Sequence, residues 1–235
     1  MYASPSPRAV LFDFFGTLTN AVRRGTRHAE IARTLGCPPE KFIAELDRTF
    51  YRRAAGTYGP PVEALRRIAF TVGGRPSFAQ LSRAVAARVD AVLRDTVLRP
   101  EAVPVLTELR RRGLAVVLIS DCWYELPAFL PRLPVAPLLD SCVYSIDVGH
   151  CKPHPAMYLE ACRRQRIEPA ECLYVGDGGS RELSGARNVG MPAVRLAATD
   201  LTDHLAFHPE IGWRGPVVDS LTDVLALVDR VPSAI

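Results

Sequence analysis

Four short apolar runs in this chain each deliver a polar residue, and their order constrains the fold more than any other feature. Val10-Leu11-Phe12 leads into Asp13, followed by Phe14-Phe15-Gly16-Thr17-Leu18. Val116 to Ile119 leads into Ser120-Asp121, and Cys142 to Ile146 precedes the loop Gly149-His150-Cys151-Lys152-Pro153. Cys172 to Val175 leads into Gly176-Asp177-Gly178-Gly179, with Glu182 five residues after Asp177. Strands alternating with helices of about ten residues imply parallel βαβ units. In an open parallel sheet, ligands bind outside the carboxyl ends of the strands. That edge is where Asp13, Ser120, Lys152 and Asp177 are expected.

Between the first and second runs the pattern changes. Ala29, Ile31, Ala32 and Leu35 recur at helical spacing until Gly36-Cys37-Pro38-Pro39 stops them. Phe42, Ile43, Leu46 and Phe50 predict a second helix ending near Gly56, and 61–72 and 77–93 predict a third and fourth. Residues 20–95 therefore read as an all-helical insertion, with 1–19 and 96–235 forming the α/β core. Within that core, helices are expected at 101–112, 155–165, 180–189 and 221–228, and further strands at 115–120 and 193–196. The stretch from Pro127 to Pro137 reads as an irregular connection, and 199–216, with its His, Asp and Gly, as a surface excursion.

Composition narrows the function classes. With 48% apolar and 23% charged residues in 235, this is an ordinary globular chain long enough to bury a sizeable core. A net charge of +4 leaves no nucleic-acid footprint. Of 29 basic residues only Lys41 and Lys152 are lysines, which singles out Lys152, since arginine supplies surface charge elsewhere. The six cysteines show neither a CxxC pair nor metal-ligand spacing, and reduced thiols in a cytoplasmic protein are expected. No run approaches the 18 or so apolar residues of a membrane span. Met1 to Arg8 lacks the pattern of a signal peptide and reads as a loose leader.

Asp13, Ser120, Lys152 and the Asp177–Glu182 pair, in that order over residues 8 to about 198, resemble the four motifs of the haloacid dehalogenase superfamily of hydrolases. The resemblance implies a Rossmann-like parallel-sheet core with a helical cap inserted between the first two motifs. It implies Asp13 as nucleophile, Thr17 and Ser120 as donors to a transferring phosphoryl group, and Lys152 as the compact cation beside them. It also implies Mg²⁺, held by Asp13, the Phe15 carbonyl and Asp177. Glu182 stands where the family usually has Asp; it would bind the metal directly or through water, or orient Lys152. The implied reaction is hydrolysis of a small phosphorylated metabolite through an aspartyl-phosphate, by a monomer or homodimer with no nucleic-acid or membrane partner.

Phe15 departs from the pattern. Phosphatases of this family carry a second Asp two residues after the nucleophile as general acid and base, and a phenyl ring moves no proton. General acid–base catalysis is typically worth about 10² to 10⁴ in rate. His28 and Tyr58 in the insertion are candidates for the missing group, and Arg23, Arg24, Arg27, Arg48, Arg52 and Arg53 make that side cationic. Three other readings follow from Phe15. One is a 2-haloacid dehalogenase, although the metal-free dehalogenases do not keep the Gly-Asp of the fourth motif. Another is a phosphonate hydrolase, for which Lys41 is the sole candidate Schiff-base lysine. The last is a binding protein on a disabled fold, which the retained Asp13, Lys152, Asp177 and Glu182 argue against.

Overall fold

A computed structural model describes residues 7–228; the leader expected at the N-terminus lies largely outside them. Its first strand shows why the sheet is buried on both faces. In β1 (Ala9–Phe12) every residue is buried, and successive side chains point to opposite faces. Val10 and Phe12 pack into one apolar cluster, Ala9 and Leu11 into another. The same division runs through β2 (Ala115–Ser120), β3 (Ser141–Tyr144), β4 (Cys172–Gly176) and β5 (Ala193–Leu196), while the short β6 (Val217–Val218) buries Val218 on one face and leaves Val217 exposed.

The strands form one parallel sheet in the order β3-β2-β1-β4-β5-β6. Val10 is in register with Val116 on one side and Leu173 on the other. The chain builds outward from β1 to β3, then returns to start β4 on the opposite side of β1. The order thus reverses between β1 and β4, where an open α/β sheet presents its ligand crevice.

Between β1 and β2 the chain forms α1 (Arg27–Thr34), α2 (Pro39–Arg48), α3 (Phe50–Ala54), α4 (Pro61–Thr71) and α5 (Phe78–Asp95). These pack on a third apolar cluster of their own, including Phe42, Leu65, Ile68 and Leu81. Proline opens α2 and α4, where its missing N–H costs nothing, and Ser77 with Gln80 forms a capping box on α5. The expected single helix from Phe42 to Gly56 is two. Thr49 donates its hydroxyl to the Glu45 carbonyl at 2.6 Å and leaves helical geometry (φ −100°, ψ 7°), turning α3 toward the sheet edge. The two connections to the sheet run side by side: Thr19 and Leu98 form an antiparallel bridge, and Asn20 N–H donates to Val97 O at 2.8 Å.

The remaining helices are α6 (Ala102–Arg111), α7 (Glu125–Phe129), α8 (Ser145–Val148), α9 (Pro155–Gln165), α10 (Glu182–Asn188) and α11 (Leu221–Val228). The strand expected to Ile146 stops at Tyr144. There the Ser145 hydroxyl accepts from Cys122 N–H and donates to Cys122 O, drawing the chain across the end of β2. Among the described residues no helix is long and apolar enough to cross a membrane, and all six cysteines are free.

One glycine couples this packing to the sheet edge. A Cβ on Gly185 in α10 would stand 2.4 Å from Tyr158 Oη and 2.9 Å from Pro153 Cα, so only glycine lets α10 lie against the loop that carries Lys152. Gly185→Ala is expected to cost about 1–3 kcal/mol by overpacking, read as a lower urea midpoint at unchanged slope. An unchanged midpoint would show that the loop gives way freely.

Candidate active site

The turn after β1 is held from several directions. Asp13 N–H donates to Val175 O at 3.0 Å, placing the carboxylate between β2 and β4. Gly16 turns the chain at φ +85°, where a Cβ would lie 2.7 Å from His204 Nε2. Arg99, buried where the chain returns from the helices, donates to the carbonyls of Gly16 (2.9 Å) and Thr17 (3.0 Å) and to Asp200 (2.8 Å). Asp13 therefore projects from a turn with little freedom to move.

Lys152 is the centre of the site. Its ammonium donates to Asp13 Oδ1 and to Glu182 Oε2, both at 2.6 Å, and lies 3.3 Å from the Tyr174 hydroxyl. Burial works against its charge, but Asp13 and Glu182 outweigh burial and hold the ammonium well above its ordinary range. Glu182 is fastened further by the Tyr174 hydroxyl at 2.7 Å and by Gly178 N–H at 3.0 Å. A Cβ at Gly176 would sit 2.1 Å from Glu182 Oε1, so that glycine leaves the space the carboxylate fills. Burial pushes the Glu182 carboxyl up and Lys152 opposes it. The same balance acts on Asp13, where nearby Asp177 adds to the upward push.

Asp13, Asp177 and Glu182 each present an oxygen within 4.8 Å of the others. Asp177 accepts from Gly179 N–H at 3.0 Å, and its other oxygen lies 3.5 Å from His204 Nε2. With Asp121, four carboxylates line the cavity on the side of the Lys152 ammonium, two of them bonded to it. This all-oxygen set with surplus negative charge suits a hard divalent cation. Thr17 and Ser120 lie fully buried, and neither hydroxyl has a hydrogen-bond partner. Unmet donors of this kind cost about 1–3 kcal/mol each unless something completes them.

Over the edge lies a cavity of about 160 Å³ between the sheet and the helices. Asp13, Phe15, Asp121, Lys152, Asp177 and Glu182 line its sheet side. His28 and Arg24 line the opposite side, His28 paired with Asp95 at 2.8 Å and Arg24 with Asp47. Of the six arginines expected to make that side cationic, Arg24 and Arg53 reach the cavity. Tyr58 does not; it is buried in the helical cluster under the Arg52 guanidinium.

Several site residues escaped the sequence reading. The 199–216 stretch is not simply a surface excursion: Leu205, Ala206 and Phe207 roof the cavity, and the His204 side chain is only 5% exposed. His204 Nδ1 accepts from Val22 N–H at 2.9 Å, and Phe207 stacks on Phe50 of α3 at 4.3 Å. Tyr51 Oη lies 3.0 Å from Ser180 Oγ, closing the same side. Polar composition hid this packing. Asp121 follows a recognised motif residue, yet nothing in its spacing marks it as facing a cavity.

Asp121 Oδ1 accepts from Lys152 N–H at 2.9 Å, while its buried Oδ2 has no partner. Burial pushes its carboxyl up to about 6, against the lowering effect of Lys152 and with Asp13 adding to the rise. Ser180 faces it from the β4–α10 turn, Tyr51 from α3 and Cys151 from the loop before α9.

A family profile for haloacid dehalogenase-like hydrolases matches residues 7–190. The chain belongs to this family. It is 32% identical over 137 residues to the glyceraldehyde 3-phosphate phosphatase of Methanopyrus kandleri, covering 56% of this chain and 55% of that protein, so the chain spans about half the length of that relative. It is 29% identical over 248 residues to phosphoglycolate phosphatase 1 of Pseudomonas aeruginosa, covering 97% of this chain and 82% of the relative. The fold matches the crystal structure of a 2-haloacid dehalogenase from Pseudomonas syringae pv. Tomato, with a TM-score of 0.69 at 20% identity over 95% of this chain and 99% of the other. The parallel sheet with flanking helices is the fold of this family.

Asp121 gives the site a pH signature. The folded carboxyl keeps its proton up to about pH 6, whereas its ordinary value is 3.8. The folded state thus holds the extra proton in that window, and stability falls as pH rises through it. Asp121→Asn removes the loss, so its stability relative to wild type is expected to rise between pH 4 and 7 by on the order of 3 kcal/mol. Urea unfolding at intervals across that range would show the divergence; parallel curves would contradict it.

Proposed function

We propose that this chain is a Mg²⁺-dependent phosphoric monoester hydrolase acting on a small phosphorylated metabolite through an aspartyl-phosphate at Asp13. Residues 20–95 serve as the cap and the remainder as the catalytic core. The observation that carries the reading is the surplus of carboxylates around Lys152 at the cavity floor. A released halide would meet Asp121 and Asp177 there, whereas a divalent cation and a phosphate would balance one another.

The carboxylates of Asp13 and Asp177, whose oxygens lie within 4.8 Å of each other, would hold Mg²⁺, with the Phe15 carbonyl as the ligand the family resemblance implies. Glu182, already engaged by Lys152, Tyr174 and Gly178, acts by fixing the ammonium. The ion, when bound, offsets charge on the phosphoryl oxygens. The chain's own groups do the rest. An oxygen of Asp13 attacks phosphorus, the P–O bond to the alcohol breaks, and an acyl-phosphate forms on Asp13. Lys152 holds Asp13 in place and balances the gathering anions. Thr17 and Ser120 supply the donors that have no partner in the protein. Water then attacks the acyl-phosphate, releasing inorganic phosphate and restoring the carboxylate.

Phe15 cannot give the departing alkoxide its proton. Asp121 takes that part: it lines the cavity, its Oδ2 has no hydrogen-bond partner, and its raised affinity for a proton suits transfer near neutral pH. With its proton on the alcohol after the first step, the carboxylate is in the form that accepts one from the attacking water.

Phosphate release from a panel of small esters, with Mg²⁺ and with chelator, tests the reading. Turnover that requires the metal and falls to background in Asp13→Asn supports it. Metal-independent release of halide from a 2-haloacid would establish the dehalogenase alternative that Phe15 raises. No turnover of either substrate class by folded protein would favour a binding role. A second measurement addresses Asp121 alone. Asp121→Asn is expected to lower turnover of alkyl phosphates by about 10² to 10⁴, and that of p-nitrophenyl phosphate far less, because nitrophenolate leaves without a proton. Equal losses on both would remove Asp121 from the proton-transfer role.

A further inference from the structure

The cavity wall opposite Asp13 holds an unmatched positive charge. Three arginines line it, and two have an acidic partner: Arg24 with Asp47, and Arg88 with Glu125 at 2.6 Å. Arg53 differs. It is 4% exposed, and its hydrogen bonds go to neutral groups, the Leu46 carbonyl at 2.7 Å and the Thr49 hydroxyl at 3.3 Å. Its guanidinium lies over the Trp123 ring at 4.7 Å, and Arg88 lies over the same ring at 5.7 Å.

Two buried guanidiniums thus share one indole and one carboxylate. Burial and the nearby Arg88 pull Arg53 down to about 10, the mark of a cation short of counter-charge. Arg88 adds a second unmet group: its Nη1 is buried and has no hydrogen-bond partner. Both residues line the same cavity as the nucleophile. The lining of the cavity also includes the apolar residues Phe15, Phe50, Leu126 and Phe207.

We propose that Arg53 and Arg88 bind a carboxylate at the far end of the substrate, so that the preferred substrates are short phosphate monoesters bearing a carboxylic acid. This rests on the hydrolase reading for what happens at Asp13. The planar fork of a guanidinium matches a carboxylate, and the unmet N–H groups gain a partner only when such a group arrives. The substrate then lies across the cavity, phosphate toward Lys152 and carboxylate toward Trp123. Its short carbon chain meets the apolar residues of the lining.

The test uses the full chain with Mg²⁺ and a series of ω-phosphooxy alkanoates of two to five carbons, each paired with its amide. At the chain length that spans the cavity, kcat/KM is expected to favour the acid over the amide by about 10- to 100-fold, chiefly through KM. The ratio should fall toward one in Arg53→Gln and recover partly in Arg53→Lys, which restores charge without the fork. Equal kcat/KM for acid and amide at every length overturns the proposal, as does a ratio that survives in Arg53→Gln. Calorimetry of acid and amide binding to Asp13→Asn reads the same preference without turnover. No hydrolysis of any ester, with acid still bound more tightly than amide, would overturn the hydrolase reading and leave the carboxylate site standing. Equal binding would overturn the carboxylate site.

Discussion

A single ammonium between two carboxylates organises this molecule. Lys152 reaches Asp13 and Glu182 at 2.6 Å each while almost wholly withdrawn from water. Taking three charges out of water is expensive, and removing one partner from such a set leaves the others uncompensated. Much of the surrounding structure follows from this. Gly176 makes room for Glu182, Tyr174 and Gly178 occupy its remaining lone pairs, and Gly185 brings α10 against the Lys152 loop. Arg99 then fixes the turn that carries Asp13. The site is preorganised because each charged group depends on its neighbours for solvation.

The two walls of the cavity carry opposite charge, and they come from different parts of the chain. Strand ends supply the acids of the floor, which suit a cation, while α3 and α5 supply the guanidiniums of the facing wall. Such a field orients a ligand before any contact forms, since low-dielectric walls focus it. Phe207 stacked on Phe50, and Tyr51 beside Ser180, join the walls on one side. The geometry between floor and facing wall is thereby tied to packing of ordinary aromatic residues well away from the chemistry.

What was legible in the sequence was what depends on period and punctuation. Strands 115–120, 172–176 and 193–196 and helices 155–165 and 221–228 fall where alternating apolar runs place them. Asp13, Lys152, Asp177 and Glu182 were visible because each follows such a run, and the structure brings all four together. Thr49 broke a helix through a side-chain hydrogen bond that periodicity does not register. Arg88 lies on the same face of α5 as Leu81 and Ala84, where an apolar side chain is expected, and its partners Glu125 and Trp123 come from a distant segment. His204 belongs to a stretch whose composition resembles surface; its burial depends on Val22 and Asp177. Each was missed for one reason, that its environment comes from the far side of a tertiary contact.

The scarcity of lysine has a practical side. Lys41 is exposed on α2, and Lys152 is sealed by its two carboxylates. An amine-acylating reagent therefore meets one reactive side chain in the folded protein and a second when the ion network opens. Modification at Lys152 counts the molecules in which that network has come apart, and the chain carries its own chemical gauge of site integrity.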